Sequence, residues 1–88
     1  MEAIDFKLPP GSTVRLNSLT TDERWWGEDE VLIDLPSGKS IDVGFYGNET
    51  FRVVVYQNGN FHDQVESSWA MDISRVIELV ESYAQRHG

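Results

Sequence analysis

Hydrophobic and polar residues alternate most strictly between Val31 and Phe45. Val31, Ile33 and Leu35 take every second place, Pro36-Ser37-Gly38 interrupts, and Ile41, Val43 and Phe45 resume. Successive side chains of a strand point to opposite faces, so this pattern describes two strands with one buried face each. A three-residue loop ending in glycine suits a hairpin, because glycine takes positive φ without steric cost. The spacing predicts that Leu35 pairs with Lys39, Ile33 with Ile41 and Val31 with Val43. Gly47-Asn48-Glu49 then marks a turn from a strand ending near Tyr46 to one starting near Thr50.

Phe51, Val53 and Val55 carry the alternation onward, followed by Gln57-Asn58-Gly59 and then Phe61 and Val65. Asn58-Gly59 alone signals a two-residue turn. That register sets Val55 against His62 and Val53 against Gln64, which scatters apolar residues over both faces. A three-residue loop from Gln57 to Gly59 instead pairs Val55 with Phe61 and Phe51 with Val65. Since a one-residue slip turns every side chain over, burial selects the three-residue loop. Asp63 then lands on the buried face opposite Val53 and needs a donor.

At the N-terminus, Ile4, Phe6 and Leu8 alternate with Asp5 and Lys7, and Val14 and Leu16 with Thr13 and Arg15. Two short strands are expected, separated by Pro9-Pro10-Gly11. Near the C-terminus the period changes. Ile73, Val76, Ile77, Val80 and Ala84 recur at helical spacing, with Leu79 and Tyr83 widening the stripe. Asp72 is placed to cap the first turn and Met71 to staple onto Val76. Arg86 and His87 lie at the end of the helix dipole that favours cations. The helix should run from Ile73 to about Arg86.

These elements make residues 1–88 a single α+β domain: an antiparallel β-meander of about four to five strands, with one C-terminal α-helix packed on one face. The covered face holds Val31, Ile33, Leu35, Ile41, Val43, Phe45, Phe51, Val53, Val55 and Phe61. The other face mixes Leu32, Tyr46, Val54 and Tyr56 with Asp34, Asp42, Arg52 and His62. It is apolar enough to need a cover, either from the N-terminal part of the chain or from a partner.

Charge adds what the pattern leaves open. Fifteen acids oppose seven bases, a net charge of −8. Such a chain repels nucleic acid and anionic lipid and attracts basic proteins. The absence of cysteine excludes disulfides, thiolate metal sites and thiol nucleophiles. The first residues are acidic and alternating where a secretory signal is basic and then continuously apolar. No apolar run approaches the length of a membrane span. A soluble, cytoplasmic protein without membrane or nucleic-acid partners is expected.

One third of the acids gather in eleven residues, Thr20 to Glu30, as Asp22, Glu23, Glu28, Asp29 and Glu30 around Arg24, Trp25, Trp26 and Gly27. An EF-hand loop begun at Asp22 would find its glycine at Gly27. Its third, fifth and twelfth places fall on Arg24, Trp26 and Ile33, which offer no carboxylate. No metal or cofactor is expected. His62 and Asp63, adjacent in a strand, face opposite ways, and His87 sits too near the end of the chain to be firmly held. Ser67 and Ser68 have neither an oriented base nor an oxyanion hole. No catalytic residue is assigned.

The tryptophans remain. Trp69, just ahead of the helix, is expected in the core. Trp25 and Trp26 point to opposite sides of an extended segment, so one can close the core while the other stays outside. The function expected is that of a non-enzymatic protein-binding module. Its acidic and aromatic surface, Asp22, Glu23, Trp25, Trp26, Glu28, Asp29 and Glu30, would dock on a basic protein partner, as inhibitor and immunity proteins of similar charge and size do. The alternative is a structural or homo-oligomeric accessory protein that associates through an exposed sheet face or edge strand.

Overall fold

The alternation between Val31 and Phe45 folds as its spacing predicts. In the computed structural model of this chain, residues 4–19, 30–46, 50–57 and 59–88 are described. They form β1 (Thr13–Asn17), β2 (Val31–Asp34), β3 (Lys39–Phe45), β4 (Phe51–Gln57), β5 (Asn60–Ala70) and α1 (Ile73–His87). The strands lie in chain order in one sheet, each antiparallel to the next. The architecture is an α+β meander of five strands with a single C-terminal helix packed against it.

Val31 pairs with Val43 and Ile33 with Ile41. Gly38 turns the chain at φ 95°, and the Leu35 N–H donates to the Lys39 carbonyl at 2.8 Å. The ladder continues with Val43 opposite Val53 and Phe45 opposite Phe51. Tyr46 N–H donates to the Thr50 carbonyl at 3.0 Å across the expected turn; residues 47–49 themselves lie outside the described residues.

α1 covers the face bearing Ile33, Ile41, Val43, Phe51, Val53 and Val55. Val76, Val80, Tyr83 and Ala84 meet them, all buried. Each large side chain so enclosed contributes about 1.5–3 kcal/mol by leaving water. Asp72 caps the helix, its Oδ1 accepting from the Arg75 N–H at 2.8 Å. Met71 does not form the expected staple: it is exposed, and its sulfur accepts from the Thr50 hydroxyl at 3.8 Å.

The first N-terminal segment departs from expectation. Ile4 to Leu8 is an extended strap outside the sheet, with Ile4, Phe6 and Leu8 half-buried against the core. Its polar backbone finds partners elsewhere. Ile4 N–H donates to the Leu19 carbonyl at 3.0 Å, Asn17 Nδ2 to the Ile4 carbonyl at 2.6 Å and Lys7 N–H to Glu81 Oε2 at 2.7 Å. Alternation records that one side is buried, which a strap satisfies as well as a strand.

The second hairpin corrects the register. Gln57 pairs with Asn60, so two residues, not three, separate the strands, with Gly59 at φ 65°. Beyond the turn Tyr56 pairs with Gln64 and Val55 with Glu66. β5 therefore advances four residues while β4 steps back one, then two while it steps back one, which inserts four extra residues. Phe61 and Val65 fall within these irregularities and are 41% and 42% exposed, not in the core. Asp63, half-buried, accepts from Gln57 Nε2 at 3.3 Å. The observed register sets polar residues of β5 against the helix. Ser68 shares a hydrogen bond with the buried Tyr83 hydroxyl, and Glu66 meets Arg86 and His87.

Candidate functional site

β4 sorts its side chains between two faces. Val53 and Val55 point toward the helix; Arg52, Val54 and Tyr56 point away. The slid register of β5 sets Trp69 opposite Arg52, and that places Trp69 on the uncovered face. It is 58% exposed and not in the core as its size suggested. Tyr46, 51% exposed, meets the Trp69 ring edge-on at 6.0 Å between centroids. The Arg52 guanidinium stacks over the same ring at 5.5 Å, with Nη2 donating to Gln64 Oε1 at 3.3 Å. Further along the face the Phe61 ring lies 5.7 Å from that of Tyr56, which is buried along with Val54.

Of the residues assigned to docking from the sequence, Asp22, Glu23, Trp25, Trp26, Glu28 and Asp29 lie outside the described residues. Both ends of their segment are fixed. Leu19 is fully buried at one end; at the other, Glu30 is 1% exposed. Ser18 N–H donates to the Glu30 carbonyl at 2.8 Å, and Glu30 N–H to the Val43 carbonyl at 2.9 Å. The Ser18 hydroxyl reaches Glu30 Oε2 at 2.8 Å. Glu30 thus anchors the segment inside the domain, and its carboxylate does not face outward.

Antiparallel order settles where these ends lie. The C-terminal ends of β1, β3 and β5 and the N-terminal ends of β2 and β4 occupy one end of the sheet. Leu19 and Glu30 belong to that end, and so do Tyr46, Arg52 and Trp69. Leu19 and Glu30, the described residues on either side of the acid-tryptophan segment, therefore lie at the same end of the sheet as the exposed rings.

A second cluster joins α1 to β5. Glu66 Oε1 lies 2.8 Å from His87 Nε2, and Glu66 Oε2 lies 3.2 Å from Arg86 Nη1. Arg86 stacks on the Tyr83 ring at 5.0 Å, and the Ser37 hydroxyl donates to the His87 carbonyl. The His87 hydrogen bond holds the Glu66 carboxyl below the usual carboxylate range; desolvation opposes it, and the Arg86 and His87 charges add to it. His87 is held by both of its neighbours, against the expectation from its place near the end of the chain. Only the slid register brings Glu66 to it, so no local signal could have found this group.

Among the described residues there is no pocket, and no group of three or more His, Asp or Glu side chains is placed to hold a metal ion. No described helix is long and apolar enough to cross a membrane. What the described residues bring together is a flat surface of rings around a cation. No protein-family model, curated protein or solved structure matches this chain, so function is read from that surface and its charge.

Proposed function

We propose that this is a non-enzymatic, cytoplasmic protein-binding module, which docks on a basic protein through the end of the sheet that carries the exposed Trp69 and Tyr46. The observation that carries this is Trp69, 58% exposed beside the 51% exposed Tyr46 on the face opposite the helix. Large rings at the centre of a surface supply most of the energy of a protein interface. The segment anchored by Leu19 and Glu30 adds four acids beyond Glu30, in a chain of net charge −8. Long-range attraction between such a surface and a basic one speeds association and rejects partners of the wrong sign.

Immobilised chain should retain a partner from lysate at low salt and release it as salt rises, because exposed charges are screened beyond about 8 Å at physiological ionic strength. Trp69→Ala, with its fold intact, should capture at least about tenfold less, the loss expected for a hot spot of ~1.4 kcal/mol or more. Equal, salt-insensitive capture by both proteins would sink the proposal.

One observation favours association between copies as a second reading. β5, eleven residues long, has no strand on its outer side among the described residues, and such an edge can pair with its like. Sedimentation mass that rises with concentration, and a fall in that mass on placing proline in β5, would turn the reading toward the oligomer.

A further inference from the structure

Arg52 is the described arginine that lacks a carboxylate. Arg15 pairs with Asp34 at 2.8 Å, Arg75 with Glu78 at 2.6 Å and Arg86 with Glu66 at 3.2 Å. Arg52 has one hydrogen bond among the described residues, to the neutral Gln64 Oε1 at 3.3 Å. Its Nε is buried without an acceptor. A guanidinium carries five N–H donors in a planar fork shaped for carboxylates, so this one is poorly satisfied. No acid among the described residues pairs with it. The fork is held instead over Trp69 at 5.5 Å. The ring lies beneath the cation, and Gln64 holds one of its nitrogens.

We propose that Arg52, framed by Gln64, Trp69 and Tyr46, receives an acidic side chain of the protein partner, carried beside a flat apolar group that lies on the exposed rings. This rests on the docking function above and names the partner's chemistry at its centre. The partner is basic overall and presents one acid at this point. The carboxylate meets the Nη atoms, since Nε is closed to solvent. A reversed pair within an otherwise acidic-to-basic interface sets the register. A partner that brought Lys or Arg to the same place would meet like charge, and its affinity would fall.

Benzoate is a suitable probe because it joins a carboxylate to a ring, and benzamide is its neutral counterpart. Titrated into the full chain at constant ionic strength, benzoate should shift the Arg52 side-chain NMR resonances and those of the Trp69 indole along a saturating curve, while benzamide should not. Arg52→Gln should weaken benzoate binding by about tenfold or more, the scale of a lost charge-assisted hydrogen bond. Arg52→Lys, which keeps the charge but not the fork, should recover only part of it.

An equal response to benzamide, or no saturable response to benzoate in the unsubstituted chain, would overturn the carboxylate site and leave docking through Trp69 untouched. Partner capture by Arg52→Gln at full strength would overturn it as well. Conversely, benzoate saturation together with partner capture that Trp69→Ala does not weaken would remove the docking function and leave the carboxylate site standing.

Discussion

One strand, β4, meets two environments. Val53 and Val55 on one side are fully enclosed; on the other side Val54 and Tyr56 are buried too, but Arg52 at the end of the strand lies against an exposed tryptophan. On the covered face Ile41, Val43, Phe51, Val53 and Val55 leave water and add to stability. On the uncovered face, Trp69 and Tyr46 keep about half their surface in water, so that part of their apolar area contributes nothing to folding. A chain of 88 residues has little such area to spare. The difference separates side chains enclosed by the fold from side chains that keep part of their surface in water.

The contrast breaks most sharply if a charge is tolerated under the helix. Val76→Asp places a carboxylate at a fully buried position facing the sheet. An unpaired charge in such a place costs several kcal/mol, comparable to the whole stability of a small domain. Circular dichroism should show the loss of a cooperative thermal transition at room temperature and above. A native melting curve for this variant would mean that the helix does not seal the core.

Phe51→Ala comes next. Its ring is fully buried and packs 5.0 Å from that of Phe45, and truncating such a ring costs about 3–5 kcal/mol through lost transfer energy and the cavity left behind. Urea denaturation should show a midpoint far below that of the unsubstituted chain with an unchanged slope. A shift no larger than that of a surface substitution would show that the covered face is loosely filled.

The two hairpins explain how much of this was readable. In β2 and β3 the turn residues and the apolar alternation select the same register, and Val31 and Ile33 find Val43 and Ile41 as expected. In β4 and β5 they conflict. Asn58-Gly59 favoured a two-residue connection, burial of Phe61 and Val65 favoured another, and the structure keeps the short connection while exposing both side chains. Burial within the hairpin could not arbitrate, because β5 also meets Tyr83, Arg86 and His87 of the helix, fifteen or more residues away in sequence. The same displacement carries Trp69 outward, so the exposed part of the candidate site was hidden from the sequence. The acidic segment was visible from composition, but its buried anchor at Glu30 was not, since nothing nearby marks the Ser18 hydroxyl as its donor.

The clamp between β5 and the helix has a smaller effect, and one with a sign. Glu66 titrates lower in the folded chain than in the unfolded one because His87 and Arg86 favour its charged form. In the window just below the ordinary glutamate range, the unfolded state therefore binds more protons, and stability rises with pH there. The contribution is complete above the ordinary glutamate range and is lost as pH falls through the lowered folded value. Glu66→Gln should flatten that part of the profile in denaturation experiments run between about pH 2 and pH 6. An unchanged acid slope would show that the clamp does not couple to folding.

Trp69→Ala should cost the fold much less than either substitution in the core. Its ring is 58% exposed, and its contacts with Arg52 and Tyr46 lie at the surface. An exposed cation–π contact contributes about 0.5–1 kcal/mol, and an edge-on ring pair a similar amount. The two contacts amount to roughly 1–2 kcal/mol, so at about 4–8 °C per kcal/mol the melting temperature should fall by roughly 4–16 °C, while indole fluorescence loses the quencher-accessible component that Trp69 contributes. The informative quantity is the ratio of two losses. A tryptophan that serves the fold costs stability and binding together, as Phe51→Ala would; one that serves the surface costs binding with the fold nearly intact. If Trp69→Ala destabilises the domain as much as Phe51→Ala does, the uncovered face is a second core and the distinction between the two sides of β4 fails.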